Sequence, residues 1–146
     1  MVRTIGVVDG DRRVAKLIED ALRKEGHYVR QFENPSRAYM NHEDIDMFVS
    51  EVNNFRSYRG MSGLGLTEKL NEEEREIPVM ILTEKIANDV AQDTAIFAGW
   101  DAGVASYLIK PVPFNPRELC IFVQRIFESL DYVGEEVDVL DDIWEV

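Results

Sequence analysis

The chain has 146 residues and a formal net charge of −12, with 45% apolar and 30% charged residues. This length and composition are typical of one globular domain with a proper core. The negative charge argues against a general nucleic-acid binder and against binding to an anionic membrane surface, because both depend on Lys and Arg.

The acidic residues are concentrated at the carboxyl-terminal end. Residues 131–146 contain seven acidic residues and no Lys or Arg, whereas residues 1–130 have a charge balance of −5. We therefore divide the chain into a domain over 1–130 and an acidic extension over 131–146. The extension also contains several aliphatic residues, a Tyr and a Trp, which leaves two alternatives open. It is a disordered tail, or it docks on the domain or on a second copy.

Three features predict a cytoplasmic protein. Cys120 is the single cysteine, so no disulfide forms within the chain, which fits a reducing compartment. No apolar run approaches the roughly 18 residues that a membrane span needs. A strand pattern begins directly after the first residues, which leaves no room for a signal peptide.

Short apolar runs alternate with helical patterns along the chain. Strands are predicted over Thr4 to Val8, Tyr28 to Phe32, Ile45 to Ser50, Ile77 to Leu82 and Ser106 to Ile109. Helices are predicted between Asp11 and Gly26 and over Ser36 to Met40, Gly63 to Asn71, Ile86 to Ala98 and Pro116 to Leu130. Strands that are apolar on both faces indicate a parallel sheet covered by helices, and such sheets bind ligands at the carboxyl ends of their strands.

Five chemically versatile residues lie at or just after predicted strand ends: Asp9, Asp11, Glu51, Thr83 and Lys110. Clustered carboxylates persist when a divalent cation, a lysine or protonation neutralises them. A threonine hydroxyl and a lysine beside such a cluster suit a phosphoryl oxyanion. The alternative is that these residues only cap helices and end strands.

Three stretches of the chain carry a family resemblance: Ile77 to Thr83, Gly99 to Pro111 and Phe114 to Leu119. Over roughly residues 3–130 the chain resembles the CheY-like receiver domain of two-component response regulators. The resemblance implies a flavodoxin-like (βα)5 fold, with a five-stranded parallel sheet in the order 2-1-3-4-5 and helices on both faces. It also implies a signalling domain rather than an enzyme.

The resemblance assigns roles to several residues. In that family an aspartate at the end of the third strand receives a phosphoryl group from a histidine kinase, and two acids after the first strand hold Mg²⁺. Here Thr83 and Lys110 stand at the phosphoryl-contact positions, and Tyr107 stands at the switch aromatic. The family usually has a cis peptide bond before the proline that matches Pro111.

Two positions depart from the family pattern. Glu51 occupies the phosphoacceptor position, and Gly10 replaces the second expected acid. The remaining metal ligands would be Asp9, Asp11 and Glu51, so Mg²⁺ binding is expected to be weakened. Both departures predict a pseudo-receiver that signals without phosphorylation and without a cofactor.

The family also indicates where partners would bind. Its interaction face consists of the fourth helix, the fifth strand and the fifth helix, here parts of Ala87–Ala98, Ala105–Leu108 and Arg117–Leu130. The implied partners are proteins: a histidine kinase, an effector or a second receiver, with a homodimer among the arrangements.

Two alternatives to the pseudo-receiver remain at this point. One is a receiver that still binds Mg²⁺ and is phosphorylated through its residual acid cluster. The other is a small Mg²⁺-dependent phosphatase of the haloacid-dehalogenase type, which the strand followed by Asp9-Gly10-Asp11 also resembles.

Overall fold

The computed structural model describes residues 2–51, 61–84, 106–110 and 115–144. For residues 83–84, 106–110 and 131–144 it describes the backbone. The helix predicted over Ile86 to Ala98 and the proline at position 111 lie outside the described residues.

The described elements form an alternating α/β chain. They are β1 (Thr4–Val8), α1 (Arg12–Lys24), β2 (Tyr28–Phe32), α2 (Pro35–Met40), β3 (Met47–Ser50), α3 (Gly63–Glu72), β4 (Val79–Glu84), β5 (Ser106–Lys110) and α4 (Pro116–Trp144). All neighbouring strands pair in parallel, and the order across the sheet is β2-β1-β3-β4-β5. The predicted flavodoxin-like sheet is therefore confirmed.

Helices cover both faces of the sheet because successive strand residues point to opposite sides. Val7 contributes to a core with α1 and α4, whereas Val8 contributes to a second core with α2 and α3. Leu119 and Val123 of α4 are fully buried in the first core, and Leu66 is fully buried in the second. β1, β3 and residues 79–82 of β4 thus bury both of their faces, as the sequence pattern predicts, whereas the edge strand β2 is partly exposed.

The ends of α1 lie where the sequence places them. The Asp11 carboxylate accepts hydrogen bonds from the backbone N–H groups of Arg13, at 2.9 Å, and Val14, at 3.5 Å. Gly26 follows the helix with a φ of +90°, a left-handed conformation that glycine adopts without strain. Each end of α1 is determined by residues within a few positions of it, so the sequence is sufficient to predict both ends.

Three predicted strands have shifted bounds. β5 ends at Lys110 rather than Ile109. β3 begins at Met47 rather than Ile45. β4 begins at Val79 rather than Ile77, and it continues to Glu84. The ladder with β5 explains the longer end, because Thr83 and Glu84 pair with the last two residues of β5. A polar residue can therefore extend a strand when its neighbour offers backbone partners.

The predicted end of the last helix at Leu130 is wrong. α4 continues without interruption to Trp144, so residues 131–144 are helical. Acidity alone does not stop a helix, and Gly134 costs only about 1 kcal/mol within one. Neither α4 nor any other described helix is long and apolar enough to cross a membrane. Docking of the extension stays a prediction.

A cavity of about 280 Å³ lies at the amino-terminal edge of the sheet, between α1 and α4. Its lining includes Arg3, His27, Cys120 and Phe127. The His27 ring packs against the Phe127 ring at 5.8 Å, and His27 Nδ1 has no hydrogen-bond partner among the described residues. Burial lowers the pKa of His27 below its usual value of 6.5, although Glu25 opposes the shift.

The His27 environment predicts a pH dependence of stability. The unfolded chain takes up a proton at His27 as the pH falls through 6.5, whereas the folded chain resists this protonation. The free energy of unfolding of the wild type should therefore decrease from pH 7.5 to pH 5.5 more than that of His27→Gln. Urea unfolding of both proteins at the two pH values measures this difference. An equal decrease in both would contradict the assignment.

The start of α3 packs closely against the end of β3. A Cβ atom added at Gly63 would lie 2.4 Å from the backbone oxygen of Glu51 and 3.0 Å from Ser50 Oγ. The neighbouring helix glycine, Gly65, is less constrained, because its nearest contact is the flexible Met61 side chain at 3.0 Å. Only glycine at position 63 allows this approach without a backbone shift.

We expect Gly63→Ala to destabilise the protein by about 1–3 kcal/mol, the usual cost of overpacking. Gly65→Ala is the matched control in the same helix. It should cost much less, because alanine favours the helix by about 1 kcal/mol and Met61 can move. Chemical denaturation of both variants measures the effect, and equal losses of stability would rule out the close approach at Gly63 as the cause.

Candidate functional site

Parallel pairing brings Asp9 and Glu51 to the same level of the sheet. Val8 pairs with Ser50 in the register of β1 and β3, and each acid follows one of these residues. The backbone N–H of Glu51 donates to the Val8 carbonyl at 2.9 Å. Neighbouring strands lie about 4.8 Å apart, so the two backbones are adjacent at this edge. Asp9 is only 7% exposed and Glu51 only 4%.

The segment from Asp9 to Asp11 forms a tight polar turn. Asp9 Oδ1 accepts a hydrogen bond from the backbone N–H of Asp11 at 2.8 Å. This interaction of an aspartate with the amide two residues on is typical of turns. Asp11 in turn uses Oδ1 to cap α1, and Gly10 between them is exposed and carries no ligand atom in its side chain. Both aspartates therefore have structural roles here.

Glu51 has a rigid backbone. Its N–H is bonded to β1, and its carbonyl oxygen accepts a hydrogen bond from Ser50 Oγ at 2.8 Å. Gly63 at the start of α3 approaches the same carbonyl closely, as described above. The Cα of Glu51 is therefore fixed between β1 and α3, so only the side-chain torsions of Glu51 can adjust its carboxylate.

The other predicted site residues lie on the neighbouring strands. Thr83 is the fifth of the six residues of β4 and pairs with Ile109. Lys110 is the last residue of β5 and pairs with Glu84, and Tyr107 pairs with Ile81. On its other side Ile81 pairs with Ser50. Thr83 therefore lies two residues beyond the level of Ser50, toward the carboxyl edge of the sheet. The backbone thus places Thr83 at the carboxyl edge on β4, next to β3, and Lys110 at the same edge on β5, one strand further from β3.

The described residues do not by themselves fit a divalent cation. Among them, no three His, Cys, Asp or Glu side chains are grouped as a metal site would require. One oxygen of Asp9 and one of Asp11 accept backbone hydrogen bonds, and Gly10 lacks a carboxylate. Mg²⁺ favours near-octahedral coordination by oxygen ligands. The assignment of metal ligands stays a prediction.

The sequence reasoning missed the supports of Glu51. Ser50 and Gly63 hold the Glu51 backbone, but neither residue was a candidate. The polar Ser50 at the end of an apolar strand gave a weak signal. The glycine at position 63 gave another, because a helix start that contacts a neighbouring strand end closely requires a small residue.

Comparisons with known proteins agree with this geometry. The response regulator receiver domain family matches residues 5–124. The transcriptional regulatory protein SrrA of Staphylococcus aureus is 26% identical over 133 residues, which cover 86% of this chain and 48% of SrrA. The chain therefore spans about half the length of this curated relative.

Solved structures show the same fold. The response regulator DrrB of Thermotoga maritima is 28% identical, with a TM-score of 0.72 over 88% of this chain and 54% of DrrB. NtrX of Brucella abortus is 23% identical, with a TM-score of 0.76 over 95% of this chain and 30% of NtrX, a likeness of fold alone. Since the family match covers most of the chain, including all five strands, the protein belongs to the response regulator receiver domain family.

Proposed function

We propose that this receiver domain signals without being phosphorylated and acts by binding other proteins. The observation that carries the proposal is Glu51, which stands at the position of the family's phosphoacceptor aspartate and is only 4% exposed. In this interpretation the domain is a binding module in two-component signalling and not an enzyme. The single cysteine, Cys120, supports a reducing, cytoplasmic compartment as part of the proposal.

The extra methylene of Glu51 supports this interpretation. Its backbone is fixed by Val8, Ser50 and Gly63, so the longer side chain cannot be offset by a retreat of the strand. The carboxylate then extends into the space that a phosphoryl group on an aspartate would fill. There it would accept a hydrogen bond from Thr83 or pair with Lys110, the two phosphoryl-contact positions.

Charge neutralisation points the same way. Two acids, Asp9 and Glu51, are buried at the same level of adjacent strands, where like charges repel. Gly10 removes the acid that would hold Mg²⁺ most directly, so the metal compensates this charge poorly. We propose that Lys110, at the end of β5, supplies the compensating charge instead.

The proposed interaction face includes β5 and the first half of α4, which corresponds to the fifth helix of the family. Ile121 of α4 is a large apolar residue that is 46% exposed, and the proposal of this face rests on the family resemblance. Tyr107 on β5 is the proposed switch residue of this face. The partner is a kinase, an effector or another receiver, including a second copy, and the net charge of −12 argues against direct nucleic-acid contact.

One observation favours the second candidate, a receiver that still binds Mg²⁺ and is phosphorylated. Asp9 and Glu51 still lie side by side at the carboxyl edge, as a metal-assisted site needs. No observation favours the phosphatase, because the receiver family match includes the strand and the Asp9-Gly10-Asp11 turn that resemble its first motif.

Phosphorylation is the direct test. We expect no phosphoryl adduct on the wild type after incubation with acetyl phosphate and Mg²⁺, measured by intact-protein mass spectrometry. The double variant Gly10→Asp/Glu51→Asp restores both acids of the family pattern and should gain one phosphoryl group. Glu51→Asp alone is the matched control, which should be modified less because Gly10 still weakens the metal site.

A stable adduct that maps to Glu51 in the wild type would overturn the proposal and favour the phosphorylatable receiver. The thermal unfolding of all three proteins should be measured in parallel, so that poor folding is not mistaken for lost reactivity.

A second prediction separates a phosphoryl mimic from an inactive site. If the Glu51 carboxylate holds Thr83 or Lys110 in place, Glu51→Gln removes its charge while keeping its shape. Loss of a hydrogen bond to a charged group should lower the free energy of opening β5 by about 1.5 kcal/mol. Amide exchange in β5 should therefore accelerate by about tenfold. Hydrogen–deuterium exchange of residues 106–110 measures this. Unchanged exchange would mean that Glu51 marks a site that no longer switches.

A further inference from the structure

The apolar residues of α4 follow one repeat from the first turn of the helix to its end. Intervals of four and three residues alternate along the whole helix. The members of this seam are Leu119, Val123, Ile126, Leu130, Val133, Val137, Leu140 and Trp144. An unbroken alternation of this kind has a period of 3.5 residues and is the signature of helices that pair as coiled coils.

The first part of the seam is covered by the protein's own sheet. Leu119 and Val123 are fully buried, Ile126 is partly buried, and Leu130 is 48% exposed. Burial thus decreases steadily along the seam. The core of the domain covers the seam as far as Ile126 and leaves Leu130 half exposed.

The position of Phe127 shows where the sheet ends. Its ring contacts His27, which precedes β2, and lies 5.1 Å from the guanidinium carbon of Arg3, which precedes β1. α4 has therefore reached the amino-terminal edge of the sheet at this residue. The remaining residues to Trp144 carry a straight helix about 26 Å further.

The part of α4 beyond the sheet propagates from its packed first half, and Gly134 weakens this part by about 1 kcal/mol relative to alanine, so a partner would stabilise it. A seven-residue repeat keeps its seam facing a second helix, whereas a sheet surface imposes no such period. The residues from Leu130 to Trp144 are therefore suited to a helical partner.

The charges beside the seam argue against a second copy of this chain. In a parallel pair, Glu136 of one helix would lie beside Asp141 of the other. In an antiparallel pair, acids of one helix would lie near the same acids of the other helix. Residues 131–146 contain seven acids and no Lys or Arg to offset this repulsion.

We propose that the segment Leu130–Trp144 is a docking surface for an amphipathic helix of another protein, one that carries Lys or Arg beside its apolar seam. Basic residues there would pair with Glu136 and Asp141, and the remaining acids would attract the same helix over a longer range. This surface goes beyond the proposed function, because it does not depend on how Glu51 behaves.

Two matched synthetic peptides test the proposal on the full chain. Each has three heptads with Val and Leu at the seam positions. One has Lys at the flanking positions, and the other has Glu. Isothermal titration calorimetry should show that the Lys peptide binds the wild-type chain and that the Glu peptide does not. Raising NaCl from 50 to 500 mM should weaken binding by about tenfold, because salt screens the charge pairs.

Variants of the chain locate the surface. Leu140→Asn should weaken binding of the Lys peptide by at least about tenfold, because it removes a seam residue. Asp142→Asn, on the outer side of the helix, should change it by less than about twofold. The thermal unfolding of both variants is measured alongside, so that a loss of folding is distinguished from a loss of the binding surface.

Three results would overturn the proposal. One is failure of the Lys peptide to bind the wild type, another is equal binding to Leu140→Asn, and the third is equal binding of the Glu peptide. Sedimentation velocity of the chain alone tests whether a second copy of the chain occupies the surface instead. Self-association that strengthens with salt and is lost in Leu140→Asn would assign the surface to a second copy and overturn the basic partner.

Discussion

The parallel pairing of β1 with β3 is the constraint on which the candidate site depends. The hydrogen bond from the Glu51 N–H to the Val8 carbonyl fixes the level at which the two strands end. That level brings Asp9 beside Glu51 and buries both. The same strand end receives Gly63 at the start of α3, so one register determines the acid pair and the helix that supports it.

Burial of two neighbouring acids is costly unless something neutralises them. The receiver family solves this problem with Mg²⁺ and a lysine. This chain keeps a lysine at the end of β5 but has glycine at one acidic position and a longer acid at another. In the proposed function, a binding partner rather than a phosphoryl group selects among the conformations of this receiver.

α4 serves two parts of the molecule at once. Its first half completes a core with Leu119 and Val123, and this packing fixes the direction of the helix. Its second half projects the same apolar seam beyond Phe127, with acids on the flanks. A change in the domain that tilts α4 would therefore be transmitted along the helix to the acidic segment. This continuity links the proposed interaction face to the proposed docking surface without an intervening loop.

Local patterns in the sequence determined much of this protein. The bounds of β1 and β2, the Asp11 cap, the left-handed Gly26 and the alternation of strands and helices all follow from residues close together in the chain. The sheet order came from the family resemblance, and the structure confirmed it. The seam of α4 was also present in the sequence, although the acidic composition suggested that the helix ends at Leu130.

Only the tertiary structure decided how far β4 extends, how deeply Glu51 is buried and why position 63 is glycine. Each of these depends on a neighbour that is distant in sequence: Lys110 for Glu84, Val8 for Glu51, and the Glu51 carbonyl for Gly63. Apolar periodicity reports which face of an element is buried, but it carries no information about register or close approach between strands and helices. Those depend on how the elements pack, and packing is a property of the whole fold.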